Sequence, residues 1–319
     1  MKRVAMLKHN GVVPYMVFDG ASLPAKQGKN RERRESRKSN RGKGMAAIAA
    51  GEDRAAQRHF AKGVEVTHFM AHKLMKELRR AGVKFVVAPY EADAQLAYMM
   101  RVGIIDAVIS EDSDCLAYGC AKVLFKLNNE GSGQEIQLRN LPANEGLDLT
   151  GWKNSMFLDW CCLTGCDYLQ PVRGLGIATA HKLVSRHRTM DKILAALESK
   201  WDLPPDFSRN YKMARLTFRH QIVYDPARKR TTHLRPVGDA AHRMDLSFLG
   251  KDLPAEAAEG VAAGRLMPST YEPYPDDSPP ARPARLPAPP APPHPHPHGD
   301  LGPQAPQQRN ASSRHETAL

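Results

Sequence analysis

Two acidic stretches decide the fold class of this chain: Tyr90-Glu91-Ala92-Asp93-Ala94-Gln95 and Ser110-Glu111-Asp112-Ser113-Asp114. A further acid follows later in the chain, at Gly165-Cys166-Asp167-Tyr168. The first two stretches follow short apolar runs, at 83–87 and 106–109, that are typical of buried strands. Open α/β sheets place their functional side chains at the carboxyl ends of parallel strands. The pattern therefore predicts an α/β fold with acids gathered at one edge of the sheet.

The gathered carboxylates predict a divalent metal site. Such a cluster repels itself unless a cation neutralises it, and oxygen ligands favour Mg²⁺ or Mn²⁺ over zinc. Asp112 and Asp114 would point the same way if the loop that carries them stays extended. Glu91 and Asp93 share no face of a regular helix, so we expect Glu91 to lie in an irregular first turn. Taken singly, each acid could also be an ordinary turn residue or helix cap.

Strand and helix patterns alternate along the first 200 residues, which predicts a mostly parallel sheet flanked by helices on both faces. The expected strands are Val12–Phe18, Val83–Ala88, Ala107–Ser110, Val123–Leu127 and Glu135–Leu138. The expected helices are Ala46–Phe60, Val64–Ala81, Glu91–Met100, Trp152–Leu163, Ile177–His187 and Met190–Leu197.

The charge of the chain predicts a polyanionic partner. There are 46 Lys and Arg against 34 Asp and Glu, a formal net charge of +12, and the segment Lys26–Lys43 is strongly basic. Within it, Arg33, Arg37 and Arg41 would form one stripe on a helix, and the planar guanidinium group suits phosphate. A solvated charged helix and a nuclear localisation signal remain alternatives.

Other classes are disfavoured. The five cysteines include no Cys-x-x-Cys pair, which argues against a zinc ribbon or a disulfide framework. No run approaches the ~18 apolar residues of a membrane span, so we expect no membrane partner. The tract from Pro268 to Pro306 holds 15 of the 25 prolines, which predicts a disordered tail with polyproline II character.

A glycine-rich turn lies between two predicted helices at Gly174-Leu175-Gly176. The backbone amides at the start of the second helix would form a phosphate site. A tight turn without a ligand is the alternative.

Together these motifs resemble the signatures of the flap endonuclease/XPG-type 5′ nucleases. The resemblance rests on Val17–Gly20, Ala88–Gln95, Glu111–Asp114 and Gly165–Gly176, which occur in the family's order and cover about residues 11 to 250. Ala117-Tyr118-Gly119-Cys120 favours the exonuclease branch of the family over the flap endonucleases proper.

The resemblance implies a PIN-like 5′ nuclease core with a helical arch, at about residues 26–62, and a helix–two-turn–helix element. It implies two Mg²⁺ ions, with Mn²⁺ as a substitute, held by Asp19, Glu91, Asp93, Asp112, Asp114 and Asp167. It implies that the scissile phosphate is contacted by Lys26 and by Arg33 or Arg37. It implies DNA contacts from Arg34, Arg41, Arg173, Gly174, Gly176 and Lys182. A K⁺ ion is expected at the helix–two-turn–helix, although Pro171 stands where the family often has a hydroxyl.

The function implied is that of a 5′→3′ double-stranded DNA exonuclease with 5′ flap endonuclease activity, acting in mismatch repair, recombination and replication. We expect a nuclear monomer whose partners are DNA with 5′ ends, nicks or flaps, together with mismatch-repair proteins. The expected regions are 1–145 (nuclease core with arch), 146–255 (helix–two-turn–helix region) and 256–319 (disordered tail).

Two alternatives stay open, a flap endonuclease proper and a catalytically impaired DNA-binding remnant. Family members carry a further strand with a metal-binding Asp before the position of Asp19, and only about eighteen residues precede it here. The chain resembles a family member without its N-terminal part, and on that basis we expect DNA binding with little cleavage from the chain alone.

Overall fold

Strands β1 (Tyr15–Phe18) and β2 (Lys84–Val87) pair in parallel in the computed structural model, which describes residues 1–238 and 244–275. Side chains alternate between the two faces of this pair, as the two-residue period of a strand requires. Met16 and Phe18 pack with helices α1 (Lys2–His9) and α4 (His68–Arg80), whereas Tyr15 and Val17 pack on the opposite face. Both faces of the pair are therefore covered, as predicted.

A second sheet follows helix α5 (Ala92–Arg101). Strand β3 (Val108–Ile109) pairs in parallel with β4 (Lys122–Phe125), and β5 (Gln134–Gln137) joins β4 in the antiparallel sense. The strand–helix–strand alternation confirms the predicted α/β class. Within the described residues the two sheets remain separate, so the predicted sheet is divided in two.

The second half of the described chain is mainly helical. Its elements are α6 (Asp114–Tyr118), α7 (Asn154–Thr164), α8 (Ile177–His187), α9 (Met190–Glu198), α10 (Phe207–His220), the hairpin β6 (Ile222–Asp225) and β7 (Arg230–His233), and α11 (Ala255–Ala262). The main core joins α5 and β3 to these helices, with Tyr118, Tyr211 and Phe218 fully buried. This core fixes the ends of α5, α6 and α7, where the predicted acids lie.

The basic segment forms a long helix that packs against a second one. Helix α2 (Gln27–Ala49) and helix α3 (Asp53–Gly63) form a hairpin in which Gly44 lies against the ring of Phe60. The prediction of one helix over Ala46–Phe60 is wrong, because the chain turns at Gly51, whose φ of +74° favours glycine. Helices at these positions agree with the arch that the resemblance implies.

Two elements begin later than predicted. The first strand begins at Tyr15 rather than Val12, after Pro14, and Val12 and Val13 are exposed. Helix α4 begins at His68 because the Thr67 hydroxyl accepts a hydrogen bond from the amide of Met70.

The tail predicted from residue 256 begins too early. Residues 255–262 form α11, whose Ala258 and Val261 are buried against the β1–β2 pair, and the described residues up to Pro275 form one compact unit. Most of the proline tract, residues 276–306, lies outside the described residues. None of the described helices is long and apolar enough to cross a bilayer.

Candidate metal and nucleic-acid site

The predicted acids lie where secondary-structure elements begin or end. Asp19 follows β1, and its Oδ1 accepts a hydrogen bond from the amide of Ala92 at 2.9 Å, which ties the end of the strand to the start of α5. Asp167 follows α7, and Asp112 follows β3. The strand ends and helix starts thus direct the acids towards one region.

Glu91 occupies the N-cap position of α5 in an extended conformation, with φ −90° and ψ 135°. Asp93 lies in the first turn of the same helix. This confirms the predicted irregular first turn, because an extended N-cap changes the direction of the chain just before the helix begins.

The loop at Asp112 and Asp114 is not extended, contrary to the prediction. Ser113 is helical, with φ −69° and ψ −17°, and the amide of Asp114 donates to Asp112 Oδ1 at 2.9 Å. An Asx turn of this kind replaces the extended chain because the short Asp side chain satisfies the free amide at the start of α6. The two carboxylates remain neighbours, since the charge of Asp112 helps to raise the pKa of Asp114.

The pKa values of Asp93 and Asp114 show that the acids form one cluster, because neighbouring carboxylates repel one another and, in addition to burial, raise both values. Burial, and then the charges of Asp112, Asp19 and Glu91, raise the pKa of Asp93 to about 7. Burial, and then the charges of Asp112, Asp167 and Glu91, raise the pKa of Asp114 to about 6. Six carboxylates from separate parts of the sequence therefore influence one another in a partly buried environment, which is the arrangement that a cation would stabilise.

Lys26 and Arg33 supply the internal counter-charge. The Lys26 ammonium contacts Glu91 Oε1 and lies 2.9 Å from Asp167 Oδ2, and Arg33 donates to the same Asp167 oxygen at 2.8 Å. Partial burial of Asp167 acts to raise its pKa, but Lys26 and Arg33 outweigh that effect and the pKa falls below its usual value. Both cations that the sequence associated with a phosphate thus face the carboxylate cluster.

A cavity of about 400 Å³ opens at this point. It is lined by Lys29, Arg33, Asp112, Asp114, Gly165, Cys166, Asp167 and Pro171. The lining combines acids with bases, which suits a metal ion together with an anionic substrate.

Arg37 does not reach the cluster. Its guanidinium pairs with Glu65 at 2.7 Å, in the segment after α3, and Arg41 packs against Gly63. Of the arginine stripe, only Arg33 points to the carboxylates, because the rest of the stripe turns towards α3. The contact of Arg37 with the scissile phosphate stays a prediction, since Arg37 is paired with Glu65 in this structure. Arg34 is exposed on α2.

The glycine turn lies between α7 and α8, as predicted. Gly174 has a φ of +81°, and Val172 and Leu175 anchor the turn in the core. Gly176 is the N-cap of α8 and offers no side chain to cap the helix. Its neighbours Arg173 and Lys182 are exposed. The start of α8 thus combines backbone amides without a side-chain cap and exposed positive charge, which suits a phosphate backbone.

The donor set fits Mg²⁺ in its chemistry. All six predicted ligands are carboxylates, which suit hard cations. In the described part of the chain, however, no three His, Cys, Asp or Glu side chains are arranged to hold one ion. The acids are neutralised by Lys26 and Arg33 instead. The site is therefore a set of oxygen donors with its own counter-charge rather than a preformed coordination shell.

Three residues that hold Glu91 were missed from the sequence, and two of them, Tyr118 and Gln221, are buried. Glu91 Oε2 accepts hydrogen bonds from Tyr118 at 3.1 Å, from Gln221 at 3.2 Å and from Tyr168. Tyr168 follows Asp167 directly, so its motif could have suggested a role. Tyr118 lies in the motif at 117–120, which gives no sign of a contact with Glu91, and Gln221 lies in a segment with no motif. Asp93 likewise accepts from the Cys115 thiol at 3.2 Å.

Comparison with known families and proteins gives a consistent result. The XPG N-terminal domain matches residues 1–40, and the XPG I-region matches residues 82–167. Exonuclease 1 from Arabidopsis thaliana is 40% identical over 279 residues, which are 87% of this chain and 38% of that protein. Exodeoxyribonuclease 1 from Saccharomyces cerevisiae is 35% identical over 240 residues, 74% of this chain and 34% of that protein.

The chain therefore spans between a third and two fifths of the length of these relatives. Among solved structures, the catalytic core of Rad2 in complex with DNA substrate is similar, with a TM-score of 0.51 at 19% identity. The similarity covers 82% of this chain and 80% of that chain, and it supports the fold.

Proposed function

This chain belongs to the XPG-type family of nucleases and is similar over most of its length to exonuclease 1 proteins, and from that premise we propose that it is a Mg²⁺-dependent 5′→3′ exonuclease on double-stranded DNA with 5′ flap endonuclease activity. One observation carries the proposal. Carboxylates from four separate segments influence one another beside Lys26 and Arg33, so that ligands for cations and partners for a phosphate lie in one place.

The metal ligands in this proposal are Asp19, Glu91, Asp93, Asp112, Asp114 and Asp167. Two bound Mg²⁺ ions, with Mn²⁺ as a substitute, would supply activation of a water molecule and stabilisation of the leaving oxygen. The chain's own contribution is to hold the carboxylates in the right orientation. Burial raises the pKa of Asp93 and Asp114, and a bound cation would favour the deprotonated form of both acids and release any proton they carry.

Lys26 and Arg33 are proposed to contact the scissile phosphate. Both cations now pair with Asp167, and a divalent cation at the carboxylates would replace that interaction. The freed cationic groups would lie at the cavity, where a phosphate gains negative charge in the transition state. Arg33 is half exposed, which leaves its guanidinium accessible to a substrate.

DNA binding away from the cleaved bond is assigned to two surfaces. The exposed face of α2 offers Arg34 and Arg41, and the turn before α8 offers Arg173, Gly174, Gly176 and Lys182. We propose that the turn grips the backbone of the duplex and holds a K⁺ ion through its carbonyl groups. Pro171 provides no hydroxyl, so such a K⁺ site would depend on backbone atoms.

The biological setting follows from the family. We propose that the protein acts in mismatch repair, recombination and replication in the nucleus, as a monomer that cooperates with mismatch-repair proteins. Its substrates would be DNA with 5′ ends, nicks or flaps. The eukaryotic exonuclease 1 relatives support this setting.

An end-labelling experiment tests the activity. Blunt duplexes and 5′ flap substrates, labelled at either the 5′ or the 3′ end, are incubated with the purified chain with and without Mg²⁺. The proposal predicts Mg²⁺-dependent removal of nucleotides from the 5′ end. DNA binding without cleavage would favour the non-catalytic alternative, and cleavage confined to flaps would favour a flap endonuclease.

A further inference from the structure

The two oxygens of the Glu91 carboxylate have different partners. Oε2 accepts hydrogen bonds from three neutral donors, Tyr118, Tyr168 and Gln221. Oε1 accepts from none of these and contacts the Lys26 ammonium. One oxygen therefore accepts hydrogen bonds from three neutral groups of the protein, whereas the other is paired with the positive charge of a lysine side chain.

The three donors come from separate elements that converge on this carboxylate, and we call them the Glu91 cradle. Tyr118 is the last residue of α6, Tyr168 lies in the turn after α7, and Gln221 joins α10 to β6. Tyr118 is 1% exposed and Gln221 is completely buried. The ring of Phe218 packs edge-on against both tyrosine rings, with centroids 4.8 and 4.9 Å away, so the hydroxyl groups have little freedom to move.

The amide of Gln221 shows that the cradle is arranged around Glu91. Its Nε2 donates to Glu91, while its Oε1 is buried and finds no hydrogen-bond partner among the described residues. A buried unpaired acceptor is unfavourable, and few survive in folded proteins. Reversing the amide would place Oε1 against the carboxylate, which is worse. The carboxylate therefore determines how the Gln221 amide is oriented, although this orientation leaves Gln221 Oε1 without a hydrogen bond.

We propose that the cradle residues Tyr118, Tyr168 and Gln221 are positioning residues that hold Glu91 Oε2 and leave Oε1 as the oxygen offered to a divalent cation. The inference rests on the proposed function, since Glu91 must be a metal ligand. It also predicts a preference among cations. Ca²⁺ readily accepts both oxygens of a carboxylate, whereas Mg²⁺ requires compact octahedral coordination. Donors that occupy Oε2 therefore favour Mg²⁺ over Ca²⁺.

Direct metal binding tests the proposal without relying on cleavage. Mn²⁺ is titrated into the metal-free full chain, and free Mn²⁺ is followed by its electron paramagnetic resonance signal. Mg²⁺ and Ca²⁺ are then used as competitors. In Tyr168→Phe, which retains the ring but loses the hydroxyl, we expect the Mn²⁺ dissociation constant to rise about tenfold, as for other residues that orient a metal ligand. The competition ratio should also shift towards Ca²⁺.

Tyr211→Phe is the matched control. Tyr211 is another buried tyrosine whose hydroxyl donates to a carboxylate, Asp159, at 2.6 Å in the same core. Both variants should unfold at a lower temperature than the wild type, because each loses a buried hydrogen bond. Only Tyr168→Phe should change Mn²⁺ binding and the Ca²⁺/Mg²⁺ ratio. Tyr118→Phe provides a second cradle variant if Tyr168→Phe does not fold.

The outcomes separate this inference from the proposed function. Unchanged Mn²⁺ affinity and an unchanged Ca²⁺/Mg²⁺ ratio in the folded cradle variants would overturn the inference, and if Glu91→Gln still weakened binding the metal site itself would stand. Equal Mn²⁺ affinity of Glu91→Gln and the wild type would overturn both the inference and the proposed metal site. Weaker Mn²⁺ binding in the Tyr211→Phe control, equal to that in Tyr168→Phe, would show a general effect of instability and would also overturn the inference.

Discussion

Lys26 Nζ lies 2.9 Å from Asp167 Oδ2 and also contacts Glu91 Oε1, so one ammonium group bridges two carboxylates that the sequence places 76 residues apart. Burial of Lys26 lowers its pKa, but the charges of Glu91 and Asp167 outweigh that effect and the pKa is raised overall. The ammonium thus acts as the cation of the site until another cation arrives.

Replacing Lys26 should destabilise the metal-free protein. Because the pKa of Lys26 is raised on folding, its stabilising contribution is complete below the unfolded pKa near 10.4 and is lost only at higher pH. Lys26→Met should therefore lower the free energy of unfolding by about 1–3 kcal/mol at neutral pH, as loss of a charged hydrogen bond does. Urea denaturation in the presence of a chelator measures the difference.

Lys29→Met is the control for this measurement, because the ion pair of Lys29 with Glu32 is exposed and its loss should change stability little. Saturating Mg²⁺ should reduce the effect of Lys26→Met, since the ions would neutralise the same carboxylates. Equal stability of Lys26→Met and the wild type without metal would show that the ammonium has no such role.

The stability of the metal-free protein should depend on the charge of Asp93. Its pKa is raised to about 7 in the folded protein, mainly by burial, so ionisation opposes folding. The cost is absent below the unfolded pKa near 4, grows as the pH rises and is complete above 7. Asp93→Asn should therefore match the wild type near pH 4 and exceed it by about 3 kcal/mol at pH 8. Urea denaturation across this range would contradict the account if the difference were independent of pH.

The acids of the candidate site could be predicted from the sequence, but the residues that surround and orient them could not. Asp19, Glu91 and Asp112 could be found because each directly follows or precedes a recognisable strand or helix. Their local chain direction was less certain, and Asp112 forms an Asx turn where an extended loop was expected. Tyr118 and Gln221 could not be found, because their role arises only when α6 and α10 pack around Glu91.

The packing of the α2–α3 hairpin was likewise not predictable from the sequence. The spacing of Arg33, Arg37 and Arg41 correctly predicted one helical stripe, but a helix pattern does not reveal its packing partner. Arg37 forms an ion pair with Glu65 in the segment after α3. The chain turns at Gly51, inside the stretch 46–60 that was predicted as one helix. Long-range partners and single turns that depend on glycine were therefore the parts that sequence reasoning missed.

The difference between Arg33 and Arg37 can be measured by the salt dependence of DNA binding. Loss of one phosphate contact on a duplex reduces the slope of log K against log salt by about 0.9. Arg33→Ala should show this reduction, because its guanidinium is exposed beside the cavity. Arg37→Ala should leave the slope nearly unchanged, because Arg37 is paired with Glu65. An equal reduction in both variants would mean that the Arg37–Glu65 pair opens when DNA binds.

The contact between α2 and α3 can be tested with the same substitution at two positions. A side chain at Gly44 would meet the Phe60 ring at 2.9 Å, whereas a side chain at Gly42 would meet nothing within 4 Å. Gly44→Leu should separate the two helices and speed hydrogen exchange of the α3 amides. Gly42→Leu should leave exchange unchanged or slower, since leucine favours helix by about 0.8–1 kcal/mol over glycine. Equal exchange in the two variants would contradict the packing described.

The most direct test of the account compares Asp114→Asn with the wild type for cleavage and for DNA binding in the same buffer. Asn retains the size of the side chain but removes a charge from the carboxylate cluster. The account predicts that the Mg²⁺-dependent release of nucleotides from the 5′ end, at whatever rate the wild type shows, is lost in Asp114→Asn, and that the DNA affinity of the variant is equal or higher. Cleavage by Asp114→Asn at the wild-type rate would contradict the assignment of these carboxylates as the metal-binding catalytic site.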